Sequence, residues 1–576
     1  MTPENTKTKD QKPKTKNQII WLLFAAVIIA VYFFGLSMPL VGPDEPRYSQ
    51  VAREMFERGD WVTPTLGGFD WFEKPALLYW LQIAAYNVFG VTEFAARFGS
   101  ALFGLATVFS LWILGRFSDR WSVAGDQWSV GGGRWSDKEV NAKDQRPKTK
   151  DQRPKNTFPN WLALIAASSI GLIVFSRGAS FDIILTFPVT ASLVGFFIWE
   201  ICRRKHGEKE DKNLFSTAFV ASAALICFYF FIGVALIAKG LVGAVFPPAI
   251  AAFYYLLQKK LPPKNFLISL LWGGLLSLLV ASSWYLPMYL RNGWKFIDEF
   301  IIQHHFQRYT SNKYQHPQPF YFFLWVLPLM TIPWLPFFFA AVFKQFKNLW
   351  SAAKGNQKNE NENPSARHSA SSTQHSQLAS FAWAWLLVPL VFFSFSGSKL
   401  PGYILPALPA ALILTALYVY RLVEKSPKWE KALQALAFAT FLTIALLAQF
   451  VAPDFVRTET VKHLIETADA NGYKTEKILN MHTISHSAEF YGAGRLVREA
   501  DGKQRRFYGA SEIVELMKEE NASQVLVLIP LDFLDSLKKN SLLEAQVLDD
   551  NGELAIVLVK ERTLLLSRPP EPIHQS

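Results

Sequence analysis

Two short polar clusters interrupt an apolar stretch near the N-terminus. The first is Asp44, Glu45, Arg47 and Tyr48 in GPDEPRYSQVAREMFERGDWVTP; the second is Glu73 and Lys74 in FEKPALLYWL. A carboxylate at a helix start is held in its charged form by unpaired backbone N–H groups, so it is available at neutral pH as a base or as a cation ligand. The spacing predicts such a start: Asp44 suits an N-cap, Pro46 suits a first turn, and Gly59 suits the stop beyond the last turn. Between them Tyr48, Val51, Ala52, Met55 and Phe56 recur at helical spacing. That describes a helix with one apolar face, fit to lie on a bilayer surface and too short to cross it. In the bland reading Asp44 only caps, and Arg47 and Arg53 meet lipid head groups. The return of Glu73 and Lys74 beside Pro75, at the next helix start, tilts the balance toward a site.

The elements around these clusters are membrane spans. Half of the chain is hydrophobic, and its 48 Phe and 19 Trp gather in blocks of about 20 residues that are nearly free of charge. The net charge of +12 invites a nucleic-acid reading, but the basic residues sit in tails and short loops between apolar blocks, as the positive-inside rule requires. Cys202 and Cys227 provide neither a disulfide framework nor a metal motif. Eleven spans are expected, near residues 19–40, 94–114, 158–176, 183–201, 214–237, 240–257, 265–287, 320–343, 379–395, 402–420 and 431–452, or thirteen if long blocks are broken. With the lysine-rich tail 1–18 inside, every basic loop fits one topology: N-terminus cytoplasmic, C-terminal residues outside. The expected organisation is a basic tail (1–18), a transmembrane domain (19–453) and an outer-face soluble α/β domain (454–576). The transmembrane domain includes an outer loop at 39–93 and a low-complexity cytoplasmic insertion at 116–157.

Polar residues that hydropathy does not explain fall on one side of this topology. Besides the first two clusters they are Asp182 after Arg177, Lys239 in AKGLVG, His304, His305, Arg308 and Tyr309 in HHFQRY, and Lys399 and Tyr403 in SKLPGYILP. Each has an ordinary reading: the lysines snorkel, Asp182 pairs with Arg177, and His305 is an interfacial histidine. Charges at a membrane boundary are costly and usually face a protein cavity, so contributions from five outer loops are most economically read as one site. Glu73 and His305 together suit a divalent cation such as zinc. No glycine loop for a nucleotide cofactor is present.

The motifs GPDEPRYSQVAREMFERGDWVTP, FEKPALLYWL, EFAARFGSALFG, HHFQRY and KLPGYILPALPA, in this order, resemble the membrane-embedded GT-C glycosyltransferases related to aminoarabinose transferase and, more distantly, to protein O-mannosyltransferases. The 116–157 insertion departs from that pattern, as does His304, where relatives often carry an acidic residue. The resemblance implies an inner-membrane enzyme of GT-C type, polytopic and α-helical. It would move a sugar, with inversion, from a polyprenyl-phosphate donor such as undecaprenyl phosphate to an acceptor at the outer face: lipid A, another glycan or a protein. By motif position Asp44 corresponds to the principal catalytic carboxylate, with Glu45 and Asp182 beside it. Arg47, Tyr48, Lys74, Lys239, Arg308, Tyr309, Lys399 and Tyr403 would bind donor phosphate and substrate. A lipid-linked donor accounts for the missing nucleotide loop, and membrane lipids are the remaining partners. The rival class is a transporter or lipid-linked-sugar flippase; the spans show no internal repeat, and the charges collect on one face.

Overall fold

The computed structural model describes residues 12–126, 157–206, 214–307, 317–353 and 370–562. The chain divides into two compact units. One contains residues 1–36, 72–90 and 94–447; the other contains 37–71, 91–93 and 448–576. This partition differs from the sequence expectation, which counted all of 39–93 with the transmembrane domain.

The first unit is helical. Each of the eleven expected spans coincides with a helix or a broken pair of helices. Among the described residues seven helices are long and apolar enough to cross a membrane, eight if the bent pair Phe158–Ala167 and Ile170–Ser176 is one span. The 158–176 block bends by 58° at Ser168 and Ser169. The 320–343 block is likewise split, into Phe322–Met330 and Leu335–Ala353. The core forms where Phe181–His206 packs along Leu214–Lys239: Phe196 and Phe228 are fully buried, their rings 5.7 Å apart, and Phe197 stacks on Phe381 at 4.7 Å. Near the end of the same helix Glu200, 1% exposed, accepts hydrogen bonds from Arg203, Arg204 and the Tyr255 hydroxyl. A carboxylate buried that deeply is tolerated because cations and a hydroxyl satisfy its lone pairs.

The second unit joins the DEPRY helix, Asp44–Arg58, to an α/β domain. A two-residue hairpin follows the helix (β1 Thr65–Leu66, β2 Phe69–Asp70). The domain's strands are β3 Ile478–Met481, β4 Arg506–Phe507, β5 Gln524–Pro530, β6 Leu543–Asp550 and β7 Leu554–Glu561, in the order β4-β3-β5-β7-β6. The first three are parallel; β7 runs antiparallel to β5 and β6. Alternate residues of the central strands feed two cores. Val525, Val527 and Val557 face Ile513 and Leu516, while Leu526, Leu528 and Ile556 face Leu464 and Ile465. Asn551 and Gly552 form the turn between β6 and β7, with Gly552 at φ 91°.

Candidate functional site

Within the second unit the site begins at the start of the Asp44–Arg58 helix. Asp44 does not cap it: Pro43 holds the cap position, and no side chain bonds the first turn. The Asp44 carboxylate is instead drawn to the Arg47 guanidinium at 2.6 Å and stays about half exposed. Glu45, buried, accepts from the Val41 N–H at 3.3 Å. Gly59 ends the helix as expected, in the left-handed conformation at φ 65°. The apolar face foreseen against a bilayer is covered by protein instead, with Val51, Ala52 and Met55 fully buried. Arg53, foreseen among head groups, donates to the Phe490 carbonyl at 2.7 Å and lies over that ring.

Two groups near Asp44 gave no signal in the sequence. The Arg47 guanidinium lies 5.4 Å from the Trp71 ring centre and 5.9 Å from that of Tyr48. His486, from the C-terminal domain, feels both Asp44 and Arg47. Packing around the imidazole and the Arg47 charge lower its pKa, against a smaller opposite pull from Glu489 and Asp44. A third residue, Glu54, organises the loop after the helix. Its carboxylate accepts from Thr65 Oγ1 at 2.7 Å and from the Gly67 and Gly68 N–H groups at 2.6 and 3.1 Å.

The first unit, taken by itself, holds other residues named from the sequence. Glu73 and Lys74 pair at 2.8 Å, both mostly buried, two residues before the Leu77–Phe89 helix and its N-cap Ala76. Asp182, in the first turn of Phe181–His206, pairs with Lys239 at the end of Leu214–Lys239, and the Lys239 ammonium lies 4.9 Å from the Tyr403 ring centre. Three elements thus bring together three residues named from the sequence. Asp182 does not take Arg177, which donates to the Val31 carbonyl at 2.8 Å. Gly402 lies flush against the Asp182 carboxylate, where a Cβ would collide with it. Lys399, 7% exposed, donates to the carbonyls of Gln318 and Ser396 at 2.9 and 2.7 Å, which leaves one ammonium hydrogen for a ligand.

Arg308, Tyr309 and the side chain of His305 lie outside the described residues. The expected pairing of Glu73 and His305 on a cation therefore rests on Glu73 alone, and that carboxylate is engaged by Lys74. Among the described residues no three His, Cys, Asp or Glu side chains group as metal ligands.

The architecture, long apolar helices with a small α/β domain, has the GT-C fold. Its likeness is to aminoarabinose transferases: the crystal structure of ArnT from Cupriavidus metallidurans bound to undecaprenyl phosphate superimposes with a TM-score of 0.66 over 93% of this chain and 97% of that one, at 19% identity. In sequence the chain is 26% identical over 439 residues to the undecaprenyl phosphate-alpha-4-amino-4-deoxy-L-arabinose arabinosyl transferase of Shewanella sediminis, covering 74% of this chain. It is 28% identical over 406 residues to the protein of the same name from Yersinia enterocolitica, covering 69% of this chain. The chain spans 65% and 58% of the length of these two relatives. No family model matches it.

Proposed function

We propose that this protein is an inner-membrane glycosyltransferase that moves a sugar, with inversion, from an undecaprenyl-phosphate carrier to an envelope acceptor such as lipid A or another glycan. Its N-terminus would be cytoplasmic and its α/β unit outside. The alignment of 74% of the chain with an enzyme named for that carrier and sugar carries the reading. The geometry supports it chemically. Glycosyl transfer builds positive charge on the sugar and negative charge on the departing lipid phosphate, so carboxylates must stand near one and cations near the other.

In this reading Asp44, paired with Arg47 and open to solvent, takes the proton of an acceptor hydroxyl, or orients an acceptor phosphate that needs no deprotonation. Glu45 positions the helix start through Val41. Lys74 and Lys399 receive the departing phosphate, and Lys239, fixed in place by Asp182 beside Tyr403, offers its ammonium as a hydrogen-bond donor. Arg308 and Tyr309 are assigned to the same phosphate by motif position, and Tyr48 and Tyr403 to the sugar.

The test is turnover of the purified full chain with undecaprenyl-phosphate aminoarabinose and lipid A, read by mass spectrometry of both lipids. Wild type should release undecaprenyl phosphate and add one sugar to the acceptor. Asp44→Asn should insert and fold yet lose ~10² to 10⁴-fold in rate if it serves as a base. Wild-type turnover in that variant removes Asp44 from the mechanism.

A further inference from the structure

A second charged cluster in the helical unit has no part in sugar transfer as proposed. The helices Leu335–Ala353 and Leu408–Lys425 flank a cleft of about 290 Å³ whose rim carries Lys344, Lys347, Arg421 and Lys425, with Phe343 and Tyr418 among the lining side chains. None of the four cations has a carboxylate at ion-pair distance among the described residues, whereas the cations of the other unit and those near Glu200 are mostly paired. Lys344 sits 6.0 Å from the Tyr418 ring centre. Partial desolvation and the charges of Arg421 and Lys425 hold its ammonium pKa below the usual range. Four cations gathered without an acid repel one another, and an anion seated among them would relieve that repulsion.

The neighbouring surface says which kind of anion. Phe339, Phe343 and Phe346, all more than half exposed, follow one another at helical spacing on the Leu335–Ala353 helix. Exposed phenylalanines beside a cationic cleft, in a chain of apolar spans, match a molecule with a phosphate head and hydrocarbon tails. We propose that this cleft binds the phosphate head group of an anionic membrane phospholipid, its acyl chains lying along the three phenylalanines. The site is independent of the sugar-transfer reading, since it uses none of the residues assigned there.

The full chain in neutral detergent, stripped of lipid, is titrated with dioleoyl phosphatidylglycerol, and the midpoint of thermal unfolding is followed. Dioleoyl phosphatidylcholine and inorganic phosphate serve as separate arms. Phosphatidylglycerol should raise the midpoint saturably and the other two should not. Lys344→Gln/Arg421→Gln should need about tenfold more phosphatidylglycerol or greater, because each cation near a lipid phosphate contributes on the order of a few-fold in affinity. The charge-keeping pair Lys344→Arg/Arg421→Lys should respond as wild type. Should the glutamine pair fail to fold, Lys347→Gln/Lys425→Gln on the rim gives the same comparison. An equal response of glutamine variant and wild type, or an equal response to phosphatidylcholine, overturns the site. An equal shift from inorganic phosphate overturns the lipid as its ligand.

Discussion

Removing Lys239 leaves the Asp182 carboxylate largely buried with its cation gone, and breaking such a pair costs about 3 kcal/mol or more. Lys239→Gln should therefore lower thermal stability in detergent as well as turnover. The double variant Asp182→Asn/Lys239→Gln, which buries no net charge, should recover most of the stability and none of the turnover. Recovery of both would make the pair structural only. That Asp182, Lys239 and Tyr403 would converge was legible in the sequence, because charge at the end of an apolar block is too costly to leave unexplained. Which partner Asp182 takes was not, since Arg177 lies five residues away and Lys239 57, and only packing decides between them. His486 illustrates the same limit, being more than 400 residues from Asp44. Its lowered pKa has a sign: the folded unit favours the neutral ring, so that contribution is present above the ordinary value of 6.5 and is lost as pH falls through the lower folded value. Unfolding of the wild type should accordingly become easier below about pH 6 than in His486→Gln, as fluorescence-monitored melts across pH 5 to 8 would record.

Helices were the most readable elements and their interruptions the least. Hydropathy located every block, yet a break such as the one at Ser168 and Ser169 changes the path of the chain without changing its polarity. The buried serine hydroxyls there return to the carbonyls of Leu164 and Ala166 at 2.6 and 2.8 Å, so that their own polar groups are satisfied within the helix. In the soluble part, the apolar run at residues 524–529 matches β5, and Asn551 and Gly552 are turn residues between β6 and β7. The four-residue helix Ala488–Tyr491 and the two-residue β4 were too short to carry a period. The loop between the Asp44 helix and Phe72 illustrates a different kind of order, set by one side chain. Glu54 gathers Thr65, Gly67 and Gly68, so Glu54→Ala should free residues 60–70 while leaving the helix intact. Hydrogen exchange in that segment should rise at least tenfold, with little change in the Leu77–Phe89 helix; unchanged protection would assign the order of the loop to packing alone.

At the scale of the whole molecule, the segment that carries the proposed catalytic carboxylate shares a compact unit with the C-terminal domain, a membership invisible to hydropathy because residues 37–71 are flanked by membrane helices. Four links hold it. The Leu40 N–H donates to the Tyr491 hydroxyl at 2.7 Å, and Arg53 reaches the Phe490 carbonyl and ring. Lys462 pairs with Glu93 at 2.7 Å, and the Tyr491 hydroxyl also donates to Glu93 at 3.1 Å. The C-terminal domain therefore packs on the Asp44 helix and serves as its mount. Ending the chain after Leu447 should leave the apolar helices able to insert, because their packing lies within the other unit. It should nevertheless abolish sugar transfer, since the Asp44 helix loses the partner that covers it. Tyr491→Phe, which deletes only the hydroxyl shared by Leu40 and Glu93, should lower turnover several-fold, each lost hydrogen bond being worth about 1 kcal/mol. Cysteine labelling in intact cells checks insertion and lipid mass spectrometry checks transfer; a truncated chain that inserts and still transfers sugar would show that the helix holds its place without the domain.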